Sequence, residues 1–218
     1  MFRHDRNIQI AVLSCHGNPV HPDRNIADRD AQTFRRTVLL AEKLDVKVIV
    51  GFSGCPGANP TDKNPNWVTY RWPPEYAAAL DWQWKERLVP YWKEAVKFAR
   101  SHGIRRLALE MHPNFCVYNP LTLLKLRDAV GEEIGANNDL SHLFWQGCNP
   151  VEVIHMLGKQ GAIYHARMIA SCQKSRIMII LKSRYSRGFR RNWLLLHAAR
   201  YGSSASMRPL PSIGRVPI

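Results

Sequence analysis

Short apolar, β-branched runs alternate with longer segments of helical periodicity through the first 165 residues, and few folds accept such an order. The strand-like runs are "IQIAVLS" (8–14), "VKVIVGF" (46–52), "IRRLALE" (104–110), "EIGANND" (133–139) and "GAIYHA" (161–166). Between the first two lies a helical segment from about Arg24 to Leu44, with Phe34, Val38, Ala41 and Leu44 on one face. Pro73 and Pro74 precede a second, from Glu75 to about His102, which Gly103 stops and Pro90 should kink or split. Residues 119–131 and 149–159 both open with Asn-Pro, an N-cap followed by a proline at the first helical position. Strand–helix units in series imply a parallel sheet, because each strand must return to the same end before the next begins. Their short, regular spacing favours a (β/α) barrel of the TIM type over a doubly wound sheet. No Gly-rich dinucleotide fingerprint follows the first strand and no Walker-type loop is present, which argues against nucleotide binding by those routes.

The 218 residues carry a net charge of +14, which looks like a nucleic-acid signal until it is located. All 17 acidic residues lie at or before Glu152, and residues 1–153 hold 19 Lys and Arg, so that part is nearly neutral. Residues 154–218 hold 12 Lys and Arg and no acid. Past His165 the strand–helix text stops, and the remainder is rich in Arg and Ser with two short apolar runs, "IMIIL" and "WLLL". Two readings are open for residues 166–218: a basic segment that binds RNA or DNA, or out-of-frame translation, which yields such acid-poor text. Five scattered cysteines without C-x-x-C spacing suit reduced thiols and a cytoplasmic location. No apolar run approaches the ~18 residues of a membrane helix, and the N-terminus has no signal-peptide pattern.

The loops at the carboxyl ends of barrel strands converge on one site. There the sequence places His16 and His21, Ser53 and Cys55, Glu110 and His112, Asp139 and His142, and His165. A carboxylate ends each of two consecutive apolar strands, with histidines beside both. Burying such groups is costly without a partner, and the mixed oxygen and nitrogen set suits a divalent cation: Mn, Mg, Co or Zn. Alternatives remain for each residue. His16 and His21 are equally readable as plain loop residues, and Cys55 and Cys116 as small buried hydrophobes. Trp145 is readable as a platform for a sugar face or as packing.

The stretches "LSCHGNPVHPD", "GFSGCPG", "NPNWVT", "ALEMHPNFCVYNP" and "GANNDLSHLFWQG" resemble the sugar phosphate isomerase/epimerase branch of the xylose-isomerase-like TIM barrels, over roughly residues 7 to 166. The resemblance implies about five of the eight βα units of such a barrel in residues 1–165, with the first unit and the last strands lacking counterparts. It implies metal ligation by Glu110 and Asp139, with His165 as a third ligand, where the family has H-x-H-A-K-D and this chain has one of the two histidines. It also implies a substrate-contacting role for His142 and a proton-transfer role for Glu110; the strand-end histidines His16 and His112 and the aromatic Trp145 are the expected substrate-binding residues beside them. A family-like Ala-Lys-Asp-Asp-Arg coded GCA-AAG-GAT-GAT-CGC becomes Ala-Arg-Met-Ile on loss of one A, and residues 166–169 are Ala-Arg-Met-Ile. That supports a frameshift just after His165.

The expected function is a metal-dependent isomerase or epimerase of a sugar or sugar phosphate, working by proton transfer next to a carbonyl through an enediolate. This chain would be a fragment of it, active or not. Two alternatives stand beside it: a zinc-dependent endonuclease-like barrel acting on abasic DNA, and a non-catalytic remnant. The expected partner is a small sugar. Nucleic acid and membrane are disfavoured, and a homo-oligomer is open for the full-length form.

Overall fold

The computed structural model describes residues 10–159, 164–167 and 181–182. Strands β1 (Leu13–Cys15), β2 (Val48–Gly51), β3 (Arg106–Glu110), β4 (Ile134–Asp139) and β5 (Tyr164–Arg167) form one parallel sheet in chain order. A two-residue strand, β6 (Leu181–Lys182), lies antiparallel on β5. Helices α1 (Arg24–Lys43), α2 (Pro74–Trp82), α3 (Val89–Ser101) and α4 (Pro120–Val130) fill the crossovers, followed by α5 (Leu140–Trp145) and α6 (Pro150–Lys159). This is an incomplete TIM-type barrel, and every described element falls in the unit Met1–Lys182.

The strands form where the β-branched and leucine runs are, but the first is shorter than expected. Leu13 pairs with Ile49, and β2 begins at Val48, so Ile10 and Ala11 extend past the start of their partner. The part of the expected strand before residue 10 lies outside the described residues, as does most of 166–218. Gly51 is forced by this pairing, since a β-carbon there would stand 2.6 Å from the Cys15 carbonyl oxygen.

Helix boundaries follow local chemistry. Asp23 caps α1 by accepting from the Asn25 N–H at 2.8 Å. Asn119 caps α4 by accepting from the Thr122 N–H, with Pro120 at the first position. Gly103 ends α3 at φ +73°, in the left-handed region that only glycine enters freely. The expected break at Pro90 takes another form. A π-helical stretch, Gln83–Leu88, joins α2 to α3, and the Val89 N–H reaches back five residues to the Trp84 carbonyl. The wider turn comes just before the residue that lacks an N–H, so the helix changes register instead of splitting.

Alternation along the strands divides the sheet. Ile49, Leu107, Leu109, Ile134 and Ala136 join a core with Phe34 and Val38 of α1, Trp92 and Val96 of α3, and Leu123 and Leu126 of α4. Glu110, Asn137 and Asp139 alternate with them and so lie on the other face, at the carboxyl ends of β3 and β4. The site is built there.

Candidate functional site

Glu110 ends β3 and Asp139 ends β4, both 3 % exposed. Carboxylates this deep persist only with hydrogen-bond donors or a cation beside them. Glu110 has three neighbours. Its Oε2 accepts from Asn137 Nδ2 at 2.7 Å. Its Oε1 lies 3.2 Å from His142 Nε2, and His16 Nε2 stands 3.8 Å from Oε2, a longer electrostatic contact. Burial pushes the Glu110 carboxyl up, but the imidazoles of His16 and His142 outweigh it and hold the group below the usual glutamate range. It is therefore a carboxylate at neutral pH.

Asp139 has its two oxygens assigned to different tasks. Oδ1 accepts from the Ser141 N–H at 2.9 Å and the Ser141 hydroxyl at 2.7 Å, which caps α5. Oδ2 lies 4.0 Å from His142 Nε2. One turn of α5 separates Asp139 from His142, so the cap that starts the helix also aims the imidazole back at both carboxylates. The His112 ring packs edge-on against His142 at 4.1 Å between centroids, and Phe52 packs against both His112 and His16 at 5.1 and 4.5 Å.

Of the residues singled out in the sequence, Glu110, Asp139 and His142 come together, each with one donor atom within 4.8 Å of the others. His16 and His112 stand beside them. His165 lies on β5 in register with Asn137, and its side chain lies outside the described residues. Trp145 is 70 % exposed, on the same helix as His142. His21 accepts from the Asp23 N–H through Nδ1 and belongs to the turn before α1. Cys55 and Cys116 are buried free thiols within the core.

Two oxygens and one imidazole nitrogen suit a hard or borderline divalent cation. Donor atoms that share an ion at about 2.1 Å stand roughly 3 to 4 Å apart, the spacing that His142 Nε2 has to the two carboxylates. The residues present fit a metal. Among the described residues, no other group of three or more His, Cys, Asp or Glu side chains comes this close.

Asn137 and the helix α5 were missed in the sequence. The signal for Asn137 was available, because it precedes Asp139 by two residues and a strand returns to the same face every second residue. A six-residue helix is too short to show periodicity, and its Asp start was already assigned as a ligand.

A parallel β/α sheet with an oxygen and nitrogen donor set at its strand ends defines a class of barrel. The chain belongs to the xylose isomerase-like TIM barrel family, whose model matches residues 2–174. The uncharacterized protein YfiH of Bacillus subtilis (strain 168) is 42 % identical over 162 residues, 73 % of this chain and 51 % of that protein. The chain thus spans about half the length of that relative. A D-tagatose 3-epimerase-like protein superposes with a TM-score of 0.54 at 22 % identity, over 76 % of this chain and 58 % of that one. The 3-keto-D-glucoside 4-epimerase YcjR of E. coli gives 0.58 at 11 % identity, over 90 % and 70 %. An IOLI protein with bound zinc gives 0.53 at 18 % identity, over 73 % and 51 %. These likenesses establish the fold.

Proposed function

We propose that this chain carries the cation-holding and proton-transfer part of a metal-dependent isomerase or epimerase acting on a sugar or sugar phosphate. The observation that carries the reading is the convergence of Glu110, Asp139 and His142 at the carboxyl ends of two adjacent barrel strands. A bound Mn, Mg, Co or Zn ion would supply Lewis acidity toward the substrate's carbonyl and hydroxyl oxygens. Glu110, Asp139 and His142 would hold it, with His165 as a further ligand by family resemblance.

The chain's own groups do the rest. Glu110, ionised at neutral pH, takes the proton from the carbon beside the carbonyl, and the electron pair moves into an enediolate. His142 Nε2, 3.2 Å from Oε1, would orient that carboxylate while it helps to hold the cation, and the proton stays on Glu110. Return of the proton from Glu110 to the neighbouring carbon, with the hydroxyl proton passing between the two enediolate oxygens, isomerises the sugar, whereas epimerisation would need a second proton donor on the opposite face. His16, His112 and Trp145 bound the space above. In this reading residues 1–165 carry the partial barrel and 166–218 are a basic segment, with β5 running on to Arg167 and β6 pairing antiparallel with it. The described cysteines are free thiols, which suits the cytoplasm. Among the described residues no helix is long and apolar enough to cross a membrane.

The test is hydrogen exchange. A panel of ketoses and ketose phosphates is incubated with the full chain and Mn in D2O, and loss of the carbon-bound proton next to the carbonyl is followed by NMR. Exchange that stops with chelator and with Glu110→Gln supports the reading. Exchange that is absent throughout leaves the non-catalytic remnant, and exchange indifferent to chelator removes the metal.

A further inference from the structure

We infer that Asn137 is a positioning residue that decides which oxygen of Glu110 faces the cation; the inference rests on the metal site proposed above. Glu110 and Asn137 are register partners on β3 and β4, so their side chains leave the same face of the sheet side by side. Both are buried, at 3 % and 6 % exposure, and the amide donates to Oε2 at 2.7 Å. With Oε2 tethered, Oε1 is the oxygen turned toward His142 Nε2, at 3.2 Å, and that nitrogen stands 4.0 Å from Asp139 Oδ2.

The choice of an amide has a physical reason. A lysine or arginine here would neutralise Glu110 and repel a cation, and an aspartate would add a third buried negative charge. Asparagine donates without carrying charge, so Glu110 keeps its full charge for the ion while losing its rotational freedom. Without that bond, the next group within reach of Oε2 is His16, at 3.8 Å. The carboxylate would then swing toward β1 and present both oxygens, or the other one, to the metal.

Removing a group that orients a metal ligand costs about 10–100-fold in affinity. The test uses the full chain with Co2+ alone, read by its visible absorption bands, which report ligand geometry, and by competition with Mn2+. Asn137→Leu keeps the branched shape and removes the donor, and Asn137→Ala removes it without needing new space. The expected result is that both variants melt within a few degrees of the wild type. Both should bind Co2+ about 10–100-fold more weakly, with bands shifted in position and intensity. Unchanged bands and affinity in either folded variant overturn the inference while leaving the metal site standing. Loss of the fold in both variants also overturns it, since the residue is then structural. A wild-type chain that binds no Co2+ overturns the metal site and this inference together.

Discussion

Two faces of the same strands meet opposite demands. On β3 and β4, Leu107, Leu109, Ile134 and Ala136 enter the helix-covered core, while Glu110, Asn137 and Asp139, interleaved with them, face the site. The first set is held by area and shape: each fully buried leucine contributes roughly 2–3 kcal/mol whatever its orientation in detail. Exchange for another residue of similar volume is tolerated there. The second set is equally buried but held by direction, one bond at a time, through Asn137 to Glu110, Ser141 to Asp139 and His142 to both carboxylates. The apolar core lies on one face, and the candidate site on the other. A single register slip would exchange them, which is why the hydrophobic alternation of these strands and the position of the carboxylates are one property.

The largest effect expected from this contrast is on the core face. Leu107→Ala, at a position 1 % exposed between the sheet and its helices, should lower unfolding free energy by about 2–5 kcal/mol in urea titrations. A loss under about 1 kcal/mol would mean that Leu107 does not face the core and the two faces are misassigned.

On the site face the same kind of experiment should give less. Glu110→Gln keeps the shape and the acceptor for Asn137 and loses only the added strength of a charged acceptor, so stability should fall by about 1–2 kcal/mol, less than for Leu107→Ala. The exchange rate with Mn should nonetheless fall by about 10²–10⁴-fold if Glu110 moves the proton. A destabilisation as large as that of Leu107→Ala would make Glu110 a structural group and dissolve the contrast.

The smallest effect concerns a charge pair on neither face. Arg71 donates to Asp81 of α2 at 2.8 Å, and this bond, aided by the charge of Arg71 and Lys85, holds the Asp81 carboxyl at about 2 despite some desolvation. A lowered value means that the pair stabilises above the ordinary carboxylate range and loses that contribution as pH falls through about 2. NMR titration of Asp81 should show its midpoint return toward the ordinary aspartate value in Arg71→Ala, with little change in melting because the pair is solvated. A midpoint indifferent to Arg71 would contradict the pairing.

Much of this was legible in the residues. The β-branched run marked β2 and the Leu-Ala-Leu run marked β3, because a buried parallel strand is apolar for most of its length. Asn119 and Pro120 marked the start of α4, because capping is local chemistry. Glu110 and Asp139 stood out because an acid after an apolar run conflicts with burial unless something needs it. The rest depends on distance in space. Asn137 gains meaning only when β4 pairs with β3 in a register that sets it against Glu110. Pro90 announced a break in the helix but not its form, a π-helical stretch that keeps the two halves joined. Helix α5 is held by its cap and by the burial of Leu143, features of two or three residues that leave no periodic pattern.

The central claim is that Glu110, Asp139 and His142 hold one divalent cation between them. Calorimetric titration of Mn into the chelator-stripped chain tests it most directly, with Asp139→Asn and His142→Ala measured beside the wild type. The account predicts one saturable ion per chain, and a loss of affinity in each variant well beyond any change in melting temperature. Binding of Mn that neither substitution weakens, or no saturable binding in the wild type, would contradict it.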